Sequence, residues 1–182
     1  MEKLLNVRVA ILTEEGFEEV ELTSPKEALE KAGARVEIIS TKTGKIKAWD
    51  KTNWGIEIKV DKALADVKIE DYDALVLPGG VMNPDKLRLN KDAVKFAGDF
   101  LMSGKPLAAI CHGPQTLIET GMLEGRKMTS FPSLKTDLTN AGAKWADKEM
   151  VQDDNLITSR KPADLPAFNK ALIGALTLQH HQ

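Results

Sequence analysis

The sequence predicts an α/β fold, a mostly parallel sheet with helices on both faces. Three observations carry this. Short apolar runs recur at residues 7–12, 36–40, 74–77 and 107–110 of the 182-residue chain. Two of them, ALVL and LAAI, are apolar at every position, as strands buried on both faces are. Helical segments alternate with the runs, and a strand–helix–strand crossover places its two strands parallel.

The elements follow in order. VRVAIL at 7–12 is the first strand. Ser24-Pro25-Lys26-Glu27 then reads as a capping box with proline at the first helical position, and Gly33 as the stop of that helix. Residues 36–40 form the second strand. Residues 45–49 and 56–60 are short and β-like, and the alternation in IEIKV predicts a small edge hairpin with one solvated face. Pro78-Gly79-Gly80 ends the next buried strand, and a helix over 91–103 stops at Gly104. After LAAI come helices at 114–120 and 133–140, the latter closed by Gly142. A last hairpin around Val151 and 156–158 precedes a terminal helix over 165–179. With no linker, repeat or low-complexity stretch, the expectation is one domain over 1–182, frayed at 179–182.

Composition narrows the function. Net charge is −2 and hydrophobic residues make up 42%, which is the balance of a globular protein without a basic surface for nucleic acid. The longest charge-free stretch, residues 106–118, contains Gly and Pro and is shorter than a membrane span. The single cysteine allows neither an intrachain disulfide nor a multi-thiolate metal site, and fits a reducing cytoplasm. The expectation is a cytoplasmic protein with small-molecule or protein partners, no nucleic acid and no membrane.

The chemistry concentrates at Ala108-Ala109-Ile110-Cys111-His112-Gly113-Pro114, where a buried strand turns into a helix start with almost no loop. A residue on so sharp a turn projects from the sheet edge and often takes a strained conformation. The helix start aims unpaired N–H groups at the sulfur and favours thiolate, so a pKa below the ordinary ~8.5 is expected for Cys111. A free cysteine is most often a small buried hydrophobe, and the elbow position is what sets this one apart. His112 adjoins it, yet neighbouring side chains do not generally face one way, and an imidazole in such a site needs a partner to orient it. The N–H of Gly80 can pair with that of His112 as an oxyanion hole, although a Gly-Gly pair is as often a plain strand-ending turn. Glu14, Glu15, Glu18, Glu19 and Glu21 crowd the end of the first strand, and spacing alone does not say which faces the thiol.

These residues carry a resemblance. Gly16-Phe17-Glu18-Glu19-Val20-Glu21-Leu22, Leu77-Pro78-Gly79-Gly80, Ala109-Ile110-Cys111-His112-Gly113-Pro114-Gln115, Gly125-Arg126-Lys127 and Ser159-Arg160-Lys161-Pro162-Ala163-Asp164-Leu165 together resemble the PfpI-type intracellular proteases. That branch shares a superfamily, class I glutamine amidotransferase-like, with the Parkinson's-associated protein deglycase. The resemblance implies a flavodoxin-like three-layer sandwich with Cys111 on the elbow, Glu21 hydrogen-bonding its sulfur, and Gly80 with His112 as oxyanion hole. It implies no cofactor and no metal. It also implies a homo-oligomer, dimer or hexamer, in which the acid orienting His112 comes from a neighbouring subunit. Asp85 stands at that position, a shorter carboxylate than the founding protease's glutamate, and Phe131 stands where relatives carry tyrosine. No histidine follows in the late chain before the tail, which argues against a glutaminase.

The function expected is a cysteine-dependent enzyme acting on reactive carbonyls, a cofactor-free glyoxalase or protein deglycase in stress protection. Its substrate is a small carbonyl, or a glycated or peptide substrate. The alternative is an intracellular cysteine peptidase. A non-enzymatic alternative uses Cys111 only for reversible oxidation, as a redox sensor or holdase.

Overall fold

The computed structural model describes residues 3–180. Strands β1 (Arg8–Leu12), β2 (Arg35–Ser40), β5 (Lys62–Ala63), β6 (Ala74–Leu77), β7 (Leu107–Ile110), β10 (Val151–Asp153) and β11 (Leu156–Ser159) form one seven-stranded sheet. Their order is β10-β11-β7-β6-β1-β2-β5, and every pairing is parallel except β10 with β11. Helices α1 (Glu19–Lys31) and α6 (Leu165–His180) cover one face, and α3 (Lys91–Ser103), α4 (Gln115–Ile118) and α5 (Lys135–Asn140) the other. Side-chain alternation divides the core: Val9 and Ile11 pack with Leu22 and Leu172, while Ala10 and Leu12 pack with Phe96 and Phe100. Each such fully buried large side chain contributes about 1.5–3 kcal/mol.

The first helix differs from its expected start. It begins at Glu19, and Pro25 lies inside it. The missing N–H of Pro25 leaves the Glu21 carbonyl without its partner one turn back, a cost offset by burial of Pro25 and Leu29 against the sheet and α6. The earlier start puts Glu21 on the first turn of α1, facing the sheet, instead of in a loop.

The hairpin also differs. Strands β3 (Lys45–Asp50) and β4 (Asn53–Lys59) pair antiparallel as a separate two-stranded sheet and do not join the edge of the main one. They are pinned beside the loop after β1 by Trp49 N–H to Phe17 C=O at 2.7 Å and Gly16 N–H to Lys47 C=O at 2.9 Å. Helix α2 (Met82–Leu87) and the pair β8 (Lys127–Met128) with β9 (Lys144–Trp145) had no periodic signal, being six and two residues long. The terminal helix runs through His180, and the rest of the segment expected to fray, residues 181 and 182, lies outside the described residues.

The carboxyl ends of β1, β6, β7 and β11 converge on one edge, where a parallel sheet leaves room for a ligand. Asn83 of α2 organises that edge. Fully buried, it accepts from Glu14 N–H at 2.7 Å and donates to the carbonyls of Pro78 and Gly79 at 3.0 and 3.2 Å. It thereby ties the loop after β1 to the Gly-Gly turn after β6.

Candidate active site

Cys111 directly follows β7 with φ 63°, a left-handed conformation that non-glycine residues seldom adopt. Two backbone hydrogen bonds hold it there: Cys111 N–H donates to Ser159 C=O at 3.0 Å, and Phe131 N–H donates to Cys111 C=O at 2.9 Å. The first extends the β7–β11 pairing by one residue, and the second brings in the loop after β8. With both its backbone groups engaged, the strained residue has no relaxed alternative nearby.

Glu21 is fully buried beneath the sulfur. Its Oε1 accepts from Gly79 N–H at 3.0 Å, while Oε2 has no hydrogen-bond partner among the described residues and the carboxyl lies beside the Cys111 sulfur. The fit leaves no space for a side chain at position 79. A Cβ there would stand 2.5 Å from Glu21 Oε1 and 2.7 Å from Cys111 Cβ. Gly80, at φ 80°, turns its N–H to the sulfur, and the His112 N–H does the same. These are the two N–H groups from which an oxyanion hole is expected, and both face the Cys111 sulfur.

His112 departs from expectation in its favour. Its Nδ1 lies 3.3 Å from Cys111 Sγ, because the left-handed turn at Cys111 swings the following side chain back over the sulfur. Its Nε2 lies 3.3 Å from Ser133 Oγ, and its ring stacks on Phe131 at 4.7 Å between centroids. Asp85 is exposed on α2 and makes no hydrogen bond or ion pair with His112 within the chain. A cleft of about 510 Å³ opens over Cys111 and His112, walled by Glu18, Trp49, Lys51, Val81, Phe131 and Pro162. A larger one of about 740 Å³ beside α3 is lined by none of these residues.

Several of these contributors had no sequence signal. Asn83 and Ser133 are single polar residues in short helical segments, and Trp49 and Lys51 reach the cleft only because the hairpin folds back on the loop before α1. Glu18 was one of five clustered acids; its side chain accepts from Lys51 N–H at 3.1 Å, and burial raises its pKa. Among the described residues no group of His, Cys, Asp and Glu could hold a metal ion, and no helix is long and apolar enough to cross a membrane.

Residues 7–175 match the model of the DJ-1/PfpI family. The chain belongs to that family. A protein of Pyrococcus horikoshii named a deglycase is 45% identical over 170 residues, 93% of this chain and 99% of that one. Protein/nucleic acid deglycase 2 of Escherichia coli is 42% identical over 173 residues, 94% and 99% of the two chains. YraA of Bacillus subtilis, provisionally named a cysteine protease, is 42% identical over 172 residues, again 94% and 99%. The crystal structure of Drosophila melanogaster DJ-1beta superposes with a TM-score of 0.85 at 28% identity, covering 95% of this chain and 92% of that one. The fold is therefore the flavodoxin-like sandwich of DJ-1/PfpI proteins.

The electrostatics of the family's cysteine turn on Glu21. Burial, with a smaller contribution from Glu18, raises its pKa from 4.5 to about 8. Burial and a charged Glu21 push the Cys111 thiol up, against the N–H groups of Gly80 and His112. Below about pH 8, however, Glu21 holds its proton and the repulsion vanishes; a protonated carboxyl in that place can donate to the sulfur, where an ionised one only accepts. Burial still holds the thiol up, opposed by the N–H groups of Gly80 and His112 and by a protonated Glu21, and not by the helix terminus expected to favour thiolate, since α4 is only four residues long. Burial lowers the pKa of His112, which stands as a neutral base at pH 7.

A raised carboxyl pKa also links stability to pH. Folded Glu21 retains a proton that the unfolded chain releases from about pH 4.5, so its contribution is full below that pH and is lost as pH rises to about 8. Glu21→Gln has no such proton. The stability of wild type relative to Glu21→Gln, from urea midpoints, is expected to fall between pH 5 and pH 8. A constant difference would show that Glu21 titrates in the ordinary carboxylate range.

Proposed function

We propose that the protein is a cysteine-dependent enzyme acting on small reactive carbonyls, of glyoxalase or deglycase type. One observation carries the reading: a strained cysteine at a cleft floor, its sulfur met by a buried carboxyl, two backbone N–H groups and a neutral imidazole. A cleft of about 510 Å³ is of small-molecule size.

In this reading the Cys111 thiolate adds to the carbonyl carbon. The C=O π electrons move to oxygen, and the N–H groups of Gly80 and His112, released from the sulfur by the new S–C bond, turn to the alkoxide. Glu21, holding a proton at neutral pH, gives it to that oxygen and leaves a neutral hemithioacetal. For an α-oxoaldehyde, His112 Nδ1 then takes the hydrogen of the former aldehyde carbon as a proton, its C–H electron pair forming the C=C of an enediol, and returns it to the adjacent carbon, while the hemithioacetal O–H proton passes through Glu21 to the former ketone oxygen. This yields a thioester, which water hydrolyses to the hydroxy acid and free thiol. No external oxidant or reductant is needed.

Names carried by relatives support the same reading: deglycases in Pyrococcus horikoshii and Escherichia coli. The provisional protease name in Bacillus subtilis keeps a peptidase as the second reading. Assembly is part of the proposal. Asp85, exposed on α2, is available to a neighbour's His112 in a homo-oligomer, dimer or hexamer, and the protein works in the cytoplasm.

Two experiments follow. Wild type is expected to convert methylglyoxal to lactate without added cofactor and to leave a fluorogenic peptide uncut, while Cys111→Ser loses at least about a hundredfold of the turnover. Peptide cleavage without carbonyl turnover would reverse the two readings. Mixing Cys111→Ser with Asp85→Ala and allowing subunits to exchange should restore part of the activity, since a mixed oligomer contains sites with both residues intact. No recovery in mixed oligomers, or a fully active monomer in sedimentation, would remove Asp85 from the site.

A further inference from the structure

We infer that Ser133 is a positioning residue for His112, holding the imidazole from within its own subunit. The inference rests on the reading of His112 as the acid–base group. Both ring nitrogens have side-chain partners in the same chain, Nδ1 at 3.3 Å from Cys111 Sγ and Nε2 at 3.3 Å from Ser133 Oγ. The ring face is held as well, stacked on Phe131 with 24° between the planes. Phe131 and Ser133 lie in one short segment, Ser133 within the helical turn Pro132–Leu134. That segment is tied to the nucleophile by Phe131 N–H to Cys111 C=O at 2.9 Å. One piece of backbone therefore grips the ring by its face and its far nitrogen while fixing the turn that carries the sulfur.

The chemistry of a hydroxyl suits this place. The partner of one imidazole nitrogen sets the protonation of the other. For Nδ1 to receive a proton in the cleft, the ring's own proton must sit on Nε2, which then needs an acceptor. Ser133 Oγ has lone pairs for it and makes no other hydrogen bond among the described residues. When Nδ1 carries the proton in a neutral ring, the same hydroxyl rotates and donates to Nε2. An ionised carboxylate accepts only. Ser133 thus lets the ring take up a proton and return it without a heavy atom moving.

The test compares wild type, Ser133→Ala and Ser133→Thr, each labelled with 15N-histidine, with His112→Gln used to assign the ring signals. In Ser133→Ala the His112 Nε2 resonance should move and the tautomer ratio change. Turnover of methylglyoxal should fall about tenfold in kcat with KM nearly unchanged, as a misplaced acid–base group demands. Ser133→Thr, which keeps the hydroxyl, should restore both the resonance and the rate. Ring signals in Ser133→Ala identical to wild type would overturn the inference, as would a threonine variant that restores neither. If wild type does not turn over the carbonyl at all, the proposed function fails, while the ring resonances still decide the role of Ser133.

Discussion

A carboxyl group and a sulfur atom, both shut away from water, meet between the first turn of α1 and the end of β7, and the edge of the sheet is built around that pair. Glu21 is fully buried and Cys111 nearly so. Two charges in such a place repel at low dielectric, so the pair is stable near neutrality only with a proton between them. The raised pKa of Glu21, about 8, supplies that proton at physiological pH. Its remaining contacts follow from the need to hold the carboxyl still. Gly79 N–H fixes one oxygen, the absence of a side chain at Gly79 makes room, and Asn83 fixes the Gly79 carbonyl.

The sequence made the sheet legible because its strands are short, apolar and buried on both faces, and because Cys111 follows such a strand without a loop. It also singled out Gly80 and His112, whose backbone N–H groups lie just past strand ends and face the sulfur. Other features were not legible, for identifiable reasons. The Ser24–Glu27 pattern imitates a helix start, and local propensity cannot show that an upstream turn gains enough from packing to carry Pro25 in its interior. Local pattern left the acidic cluster with five candidates, of which the resemblance alone picked Glu21, and only the pitch of α1 separates the buried Glu21 from Glu18 at the cleft. Asn83 and Ser133 act over long sequence separations, 69 residues to Glu14 and 21 to His112, which no local pattern encodes.

The left-handed turn at Cys111 has consequences on both sides of it. It points the sulfur at the buried acid, and it folds His112 back so that the side chains of adjacent residues meet. Neither would follow in a regular strand, where successive side chains alternate between faces. Because Ser159 and Phe131 hold the turn through backbone groups, the strain is sustained by the sheet and by the loop after β8, and does not depend on the cleft being filled.

The rate of Cys111 alkylation by iodoacetamide as a function of pH tests the central pair most directly. A protonated Glu21 together with the Gly80 and His112 N–H groups is expected to give an apparent thiol pKa well below the ordinary ~8.5, and Glu21→Gln is expected to shift it. An apparent pKa at or above that value, unmoved by Glu21→Gln, would contradict the account.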